Sequence, residues 1–365
     1  MSKQIRLYVD RKRPDMGLGK LILTLALLIS ISLSSCILGG KYSVDRNIKK
    51  SYEEAVERFN EFRSSDLNPE LEIVDREWVI QQWGSYEQKE EIFYKAMFLL
   101  PANYSFKKAK EHDLGSFVAF TWEGKIYVVR ENFDEKTFKR TIYHELEHLF
   151  QEKYSISSDG TFDGEKAKAS AIEGDAKLIS RVIAGDEYGR ESLSELEEDN
   201  AYFLLGYAPY LFGYNLAIEV FNRTGDTITM IENPPESMEQ VMHPERYFEN
   251  EGFEEIFLGD GQNRLGELFI LFFLGAHVYD SIAWVAAEGW NGDAYILNET
   301  GWVWKISFDS QKDAVEFYYA VSNMMSRLGE KDGEGYVIRE KYLPQKIKIE
   351  PDGNYVIITS RFLEV

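Results

Sequence analysis

The sequence predicts an α+β fold that is mainly helical, with a small sheet towards the N-terminus and a β-β-α-β-β arrangement at the C-terminus. Several long segments repeat apolar residues at helical spacing, and two β-rich segments flank a Glu123-Gly124 turn. Four further strand-like segments surround one helical segment near the C-terminus. With 44% hydrophobic and 14% aromatic residues among 365, the composition is that of a globular protein with a large core.

The first residues have the pattern of a secretory signal. Basic residues precede an uncharged apolar run from Leu21 to Ser35, and the only cysteine, Cys36, follows at once. Residues 33–36 resemble a lipobox, so we expect residues 1–35 to be a signal peptide and Cys36 to be the lipidation site. The alternative is an uncleaved anchor, because Leu21 to Leu38 is just long enough to span a membrane. Either interpretation predicts an extracytoplasmic protein that is anchored to the cell membrane.

The rest of the chain is predicted to consist of a tether at residues 36–50, a main domain at 51–293 and a small α+β part at 294–365. In the main domain, apolar spacing and charge spacing predict the helices, and Glu123-Gly124 predicts a hairpin. The predicted helices are Ser51 to Phe62, Glu90 to Leu99, Phe133 to Tyr154, Glu165 to Ala184, Ala201 to Asn222, Ser237 to Met242 and Arg264 to Glu288. The predicted hairpin strands are Ser116 to Trp122 and Lys125 to Arg130.

Two features are predicted near the end of the main domain. The apolar stretch Leu268 to Tyr279 is too short to span a membrane, so we expect a buried core helix. Gly289 to Asp293 is expected to end that helix in a turn. The C-terminal part is then predicted to contain a helix at Gln311 to Ser326 and strands at Ala294 to Leu297, Trp302 to Phe308, Tyr336 to Arg339 and Tyr355 to Ser360.

Charge and cysteine content exclude two classes of function. The chain has 41 basic and 62 acidic residues and a net charge of -21, which argues against nucleic acid as a partner. A single cysteine excludes a disulfide framework and any zinc site built from several cysteines.

The motif that carries chemistry is HELEH at residues 144–148, on the helix that is predicted to begin near Phe133. Residues four apart lie on one face of a helix, so His144 and His148 can bind the same metal ion. Glu145 follows the first histidine and can reach a water on that metal. This is the HExxH arrangement, in which the glutamate acts as general base. Among metals, the ligand type favours Zn²⁺.

A catalytic zinc needs a third protein ligand and an open fourth position. The next predicted helix contains AIEGDA at residues 171–176, and Glu173 is the predicted third ligand. Asp175 is the alternative ligand; otherwise we expect it to accept a ring N–H from a ligand histidine. The competing interpretation is that both carboxylates are solvated on a helix surface.

Three later segments, together with HELEH and AIEGDA, resemble a poorly characterised prokaryotic family of exported proteins with zinc metallopeptidase motifs. They are PPESMEQ at 234–240, VMHPERY at 241–247 and GWNGD at 289–293. The family's motifs are HExxH, EGDA, PP-STEQ-HPEKY and GWxGD, and the resemblance covers about residues 115–325. Met238 and Arg246 replace the family's usual Thr and Lys. A wider resemblance, to thermolysin-like gluzincins, implies a zincin-like fold for the main domain and zinc chemistry without indicating a substrate.

Gluzincins stabilise the oxyanion with a downstream Tyr or His, and this chain offers Tyr210, Tyr214, His243 and Tyr247. We favour His243, because it lies within the family-like segment, and retain Tyr210 as the second candidate. The competing interpretations are that His243 and Tyr247 hold a loop against the core, and that Tyr210 packs between helices.

These observations predict a membrane-tethered zinc-dependent hydrolase. We expect it to be a peptidase that acts on peptide or protein substrates. An edge strand at Lys125 to Arg130 is expected to align an extended peptide by backbone pairing. Two alternatives are a surface lipoprotein that binds zinc without catalysis and a partner-binding module that binds no metal. The intact Glu145 between the two histidines favours the enzyme.

Overall fold

The part of the chain that the structure describes consists of helices and two separate β-sheets, in agreement with the predicted α+β class. The computed structural model describes residues 39–85, 88–196 and 200–364, and within these ranges it has thirteen α-helices and nine strands. The predicted signal peptide and Cys36 lie outside the described residues. None of the helices described in these ranges has both the length and the apolar character needed to cross a bilayer.

The elements are labelled in chain order. The helices are α1 (Gly39–Arg63), α2 (Arg76–Trp83), α3 (Gln88–Ala96), α4 (Phe106–Gly115), α5 (Glu135–Gln151), α6 (Phe162–Ala184), α7 (Ala201–Thr224), α8 (Ile228–Glu232), α9 (Met238–Met242), α10 (Pro244–Glu249), α11 (Gly266–Gly275), α12 (Asp280–Glu288) and α13 (Gln311–Leu328). The strands are β1 (Leu71–Val74), β2 (Ala119–Trp122), β3 (Lys125–Val129), β4 (Trp290–Asn298), β5 (Gly301–Phe308), β6 (Glu330–Asp332), β7 (Gly335–Ile338), β8 (Gln345–Asp352) and β9 (Tyr355–Phe362).

The first sheet has the order β1-β3-β2, with β1 parallel and β2 antiparallel to the central strand β3. Successive side chains of a strand point to opposite faces of its sheet. Ile126 and Val128 are therefore buried with residues of α1 and α5, whereas Tyr127 and Val129 are buried with residues of α2 and α4. The sheet packs directly against α5, the helix that contains HELEH.

Two predictions about this region are corrected by the structure. Helix α1 begins at Gly39, so most of the predicted tether is helical, and Ile48 within it is fully buried because an apolar stripe along α1 packs against α5. Strand β3 is central rather than an edge strand, because β1, which we did not predict, pairs with its second side. The backbone of β3 is therefore not available to bind a peptide.

Helices α6 and α7 pack against each other at a glycine contact. A Cβ added to Gly174 would overlap the carbonyl group of Gly213, and a Cβ added to Gly213 would overlap that of Ser170. The glycine of the AIEGDA segment therefore allows the two backbones to approach closely. This contact fixes the position of Glu173, the residue before Gly174 on α6.

The apolar segment predicted as one helix from Arg264 to Glu288 is two helices. Helix α11 ends at Gly275 and α12 begins at Asp280. As predicted, α11 is a core helix, since every residue from Gly266 to Leu274 is buried. The Tyr279 side chain between the helices is exposed.

The C-terminal sheet is antiparallel and has six strands in the order β4-β5-β9-β8-β7-β6, with α13 packed against it. The predicted β-β-α-β-β arrangement contains the correct helix and four of these strands but omits β6 and β8. The predicted turn at Gly289 to Asp293 is corrected as well, because β4 already begins at Trp290.

Asp293 joins this sheet to the helices. Its carboxylate accepts the backbone N–H groups of Leu265 and Gly266 at 2.9 and 2.8 Å. It also accepts the indole N–H groups of Trp290 and Trp304 at 3.0 and 2.8 Å. The boundary that we predicted between residues 293 and 294 therefore lies inside a strand that is bonded to the start of α11.

Candidate metal centre

Helix α5 presents both histidines of HELEH on one face. An apolar stripe along α5 is buried, which holds this helix against the first sheet; its members are Phe138, Ile142, Leu146 and Leu149. Asp134 occupies the N-cap position, but its carboxylate accepts the Thr137 hydroxyl at 2.9 Å rather than a backbone N–H. The position of α5 therefore depends on burial of the stripe more than on capping.

The side chains of His144, His148 and Glu173 converge on one point. The two Nε2 atoms are 3.0 Å apart, and Glu173 Oε2 lies 3.2 Å from His144 Nε2 and 3.4 Å from His148 Nε2. Tetrahedral zinc, at about 2.0–2.1 Å from its ligands, separates ligand atoms by about 3.3 Å. The donor set and its spacing therefore fit one zinc ion, and the structure brings together the three residues predicted as ligands.

The charges of these residues are coupled. Burial alone would lower the pKa of His148, but the Glu173 carboxylate opposes this and raises the pKa to about 9. Burial alone would raise the pKa of Glu173, but the His148 and His144 imidazoles lower it to about 2. The carboxylate is therefore ionised at neutral pH, which is the state that binds a cation.

Glu145 is fully buried next to the cluster, and its charge also contributes to the raised pKa of His148. Thr121 of β2 donates its hydroxyl to Glu145 Oε2 at 3.0 Å, and the same hydroxyl lies 3.1 Å from the backbone carbonyl of Glu145. The predicted hairpin therefore supplies a residue, Thr121, that orients the candidate general base. Nothing in the sequence around Thr121 indicates this contact.

Gln151 connects His148 to Asp175. Its side-chain N–H groups donate to Asp175 Oδ2 at 2.6 Å and to the Ile172 carbonyl at 3.0 Å. Its Oε1, 3.1 Å from His148 Nδ1, must therefore accept a hydrogen bond from the N–H group at that nitrogen. Asp175 thus acts on His148 through Gln151, which corrects the expected direct contact between Asp175 and a ligand histidine.

A second buried network holds the ligand helices together. Arg63 of α1 donates to both oxygens of Glu147, the fourth residue of HELEH, at 2.9 and 2.6 Å. The same guanidinium lies 3.6 Å from Asp175 and 3.2 Å from Asp226. Asp175 also accepts the Thr227 hydroxyl. Helices α1, α5 and α6 are therefore joined through the buried charges of Arg63, Glu147 and Asp175 next to the candidate ligands, whereas Asp226 is exposed.

A cavity of about 1040 Å³ lies beside the candidate ligands, and His148 and Glu173 form part of its wall. Tyr210 of α7 and the Glu123-Gly124 turn also line it. The Tyr210 ring stacks on Tyr207 with ring centroids 5.7 Å apart. This volume is sufficient for a ligand of several residues.

His243, the favoured oxyanion donor, is not among the described residues that line this cavity. Its Nε2 lies 2.9 Å from the buried carboxylate of Glu267. Burial would lower the pKa of His243, but that carboxylate raises it. The Tyr247 hydroxyl donates to the Asn233 carbonyl at 2.8 Å. Both side chains therefore make the contacts that are expected if His243 and Tyr247 hold a loop against the core.

Comparison with known proteins identifies one matching family model, a domain of unknown function (DUF8575), at residues 254–362. This stretch contains α11, α12, α13 and the whole C-terminal sheet, but none of the candidate metal ligands. No curated protein and no solved structure matches the chain.

Proposed function

We propose that the protein is a zinc-dependent hydrolase, specifically a peptidase, that is tethered to the membrane and acts outside the cytoplasm. One observation supports the assignment as a hydrolase. Three ligand atoms of the kind that binds zinc lie 3.0, 3.2 and 3.4 Å from one another, beside a buried glutamate and a cavity. When bound, the zinc would activate a water and polarise the carbonyl of the substrate. The membrane tether rests on the sequence of residues 1–36.

Glu145 is the general base in this mechanism. It accepts a proton from the attacking water and transfers it to the amine that leaves. Thr121 donates to one carboxylate oxygen of Glu145 and thereby orients this base. Gln151 holds the proton of His148 on Nδ1 and thereby directs the lone pair of Nε2 towards the metal.

Tyr210 is the oxyanion donor that we propose. It lines the same cavity as His148 and Glu173, whereas His243 bonds to Glu267. A positioned donor of this kind typically contributes a factor of about 100 or more to kcat. The helix that carries HELEH packs on a sheet, and the third ligand follows on the next helix, so we also propose a zincin-like fold for this part of the chain.

The test measures zinc content and hydrolysis for the full chain purified in detergent. We expect about one zinc per wild-type chain and markedly less for Glu173→Ala. Glu145→Gln should keep its zinc and lose hydrolysis of an unfolded protein substrate, because the amide cannot accept the proton.

His112→Ala is the matched control, since the His112 side chain is 75% exposed, and this variant should behave as wild type. Wild-type activity in Glu145→Gln would disprove the mechanism. Absence of zinc from the wild type would disprove the metal centre.

A further inference from the structure

The cavity beside the candidate ligands contains a lysine for which the described part of the chain shows no ion pair. Lys166 of α6 lines the cavity, and its ammonium donates to the backbone carbonyl of Leu205 at 3.3 Å. Two other lysines of α6 differ in this respect. Lys168 lies 3.7 Å from Glu165, and Lys177 lies 2.6 Å from Glu191.

Lys166 is a partly buried cation, and its ammonium lies 5.6 Å from the centroid of the Phe162 ring. Burial lowers the pKa of its ammonium, an effect that Glu90 of α3 partly opposes, and the resulting value of about 8 keeps the group mainly protonated at neutral pH. An ammonium has three N–H donors, and Leu205 accepts from one of them. The remaining donors favour an anion that enters the cavity, because a charge removed from water needs a partner.

The spacing along α6 relates this cation to the metal centre. Lys166 and Glu173 are seven positions apart, nearly two turns, so they lie on one face of the helix about 10 Å apart along its axis. An extended peptide advances about 3.3 Å per residue. If Lys166 binds a carboxylate of an extended peptide, the peptide carbonyl two or three residues away therefore reaches the candidate ligands.

We propose that Lys166 binds the C-terminal carboxylate of a peptide substrate, so that the protein releases dipeptides or tripeptides from C-termini. This rests on the proposed hydrolase function. Water adds across the scissile bond: its oxygen bonds to the carbonyl carbon, the C–N bond breaks, and a proton goes to the leaving amine. The products are a shortened chain with a new carboxylate and a free short peptide. An acidic side chain has the same chemistry as the terminus, and the test separates the two.

The first experiment uses two libraries of N-acetylated hexapeptides, one with free C-terminal carboxylates and one with C-terminal amides. Mass spectrometry follows cleavage by the full-length, zinc-loaded protein. We expect cleavage of the acids to exceed that of the amides by about 10- to 100-fold, the effect of one charge-assisted hydrogen bond in a partly buried site. The released C-terminal fragments should have two or three residues.

Three variants locate the effect. Lys166→Met should remove the preference for acids, and Lys166→Arg should restore much of it. Lys168→Met removes the same charge from the same cavity, but from a lysine that is paired with Glu165, and it should keep the wild-type preference. Zinc content and melting temperature of each variant establish that it is folded.

A binding measurement separates this inference from the proposed function. Immobilised Glu145→Gln protein, with and without Lys166→Met, captures peptides from an equal mixture of the two libraries. Enrichment of acids that depends on Lys166 supports the carboxylate site even if the wild type hydrolyses nothing. Equal cleavage and equal capture of acids and amides would overturn the inference and leave the hydrolase intact. Enrichment of amides with internal Asp or Glu would also overturn it, because the site would then recognise a side chain.

Discussion

Gln151 determines which nitrogen of His148 can bind a metal. Because its amide N–H groups are both engaged, by Asp175 and by the Ile172 carbonyl, its oxygen faces His148 Nδ1 as an acceptor. When the ring is neutral, this contact favours the tautomer that keeps the proton on Nδ1 and leaves Nε2 able to bind a metal. A residue outside HELEH thus contributes to the candidate metal centre.

Replacing Gln151 with Leu should weaken zinc binding. The variant leaves His148 Nδ1 and Asp175 without this partner, and the loss of such a contact typically lowers metal affinity by about 10- to 100-fold. Competition with a chelator measures the affinity. Gln81→Leu is the matched control, because Gln81 is exposed and should give wild-type affinity. Unchanged affinity in Gln151→Leu would show that the contact does not orient the ligand.

The sequence indicated the ligands but not their supports, for a physical reason. His144 and His148 are four residues apart on one helix, so their proximity follows from helix geometry alone. Gln151 is three residues beyond His148 on the same face and could have been found in the same way. Thr121 and Arg63 come from a strand and a helix that are distant in sequence, so their contacts depend on tertiary packing.

At the scale of elements, the contact between α6 and α7 sets the position of Glu173, the candidate third ligand. Gly174 and Gly213 allow the two helix backbones to meet without intervening side chains. Glu173 precedes Gly174 directly, so any separation of the helices moves its carboxylate relative to α5. The AIEGDA segment therefore combines a candidate ligand with the glycine that positions its helix.

Gly174→Ala should destabilise the protein and weaken zinc binding together. The added methyl group overlaps the carbonyl of Gly213, and such overpacking typically costs about 1–3 kcal/mol. Thermal unfolding and chelator competition measure the two effects. Gly206→Ala on α7 is the matched control, since an added Cβ meets nothing within 4 Å there, and it should be neutral or stabilising by up to about 1 kcal/mol. A fully stable Gly174→Ala variant would show that the helices can separate without cost.

Elements with a strong apolar pattern can be predicted from the sequence, whereas other elements form only through contacts with neighbouring elements. The stripe of α5 and the hairpin of β2 and β3 follow from local periodicity. Strand β6 is polar and exposed throughout, so only its pairing with β7 makes it a strand. Strand β8 does alternate, with Ile347 buried between two lysines, and it shows a signal that our prediction overlooked. The interruption between α11 and α12 lies within an apolar run and leaves no such signal.

At the scale of the whole molecule, the C-terminal sheet and the helices near the candidate metal centre share one core. One hydrophobic cluster includes Tyr94 of α3, Leu178 of α6, Trp304 of β5 and Ile358 of β9, whereas the apolar stripe of α5 and the first sheet belong to two smaller clusters. A core of this kind is expected to unfold cooperatively. The division into a main domain and a small C-terminal part therefore does not correspond to two separate cores.

Asp293→Ala tests this unity, because the aspartate bonds the sheet to the start of α11. The substitution leaves two indole N–H groups and two backbone N–H groups without their acceptor, and each such group costs about 1–3 kcal/mol. We expect hydrogen exchange to accelerate by a similar factor in α6 and in β5, since both open through the same transition.

If the alanine variant does not fold, Asp293→Asn takes its place. This variant keeps one acceptor oxygen, so the same acceleration should be seen but should be smaller. Asp66→Ala, at an exposed position, should exchange as wild type does. Faster exchange confined to the sheet, with α6 still protected, would show that residues 254–362 unfold as an independent unit and that the common core does not couple the two regions.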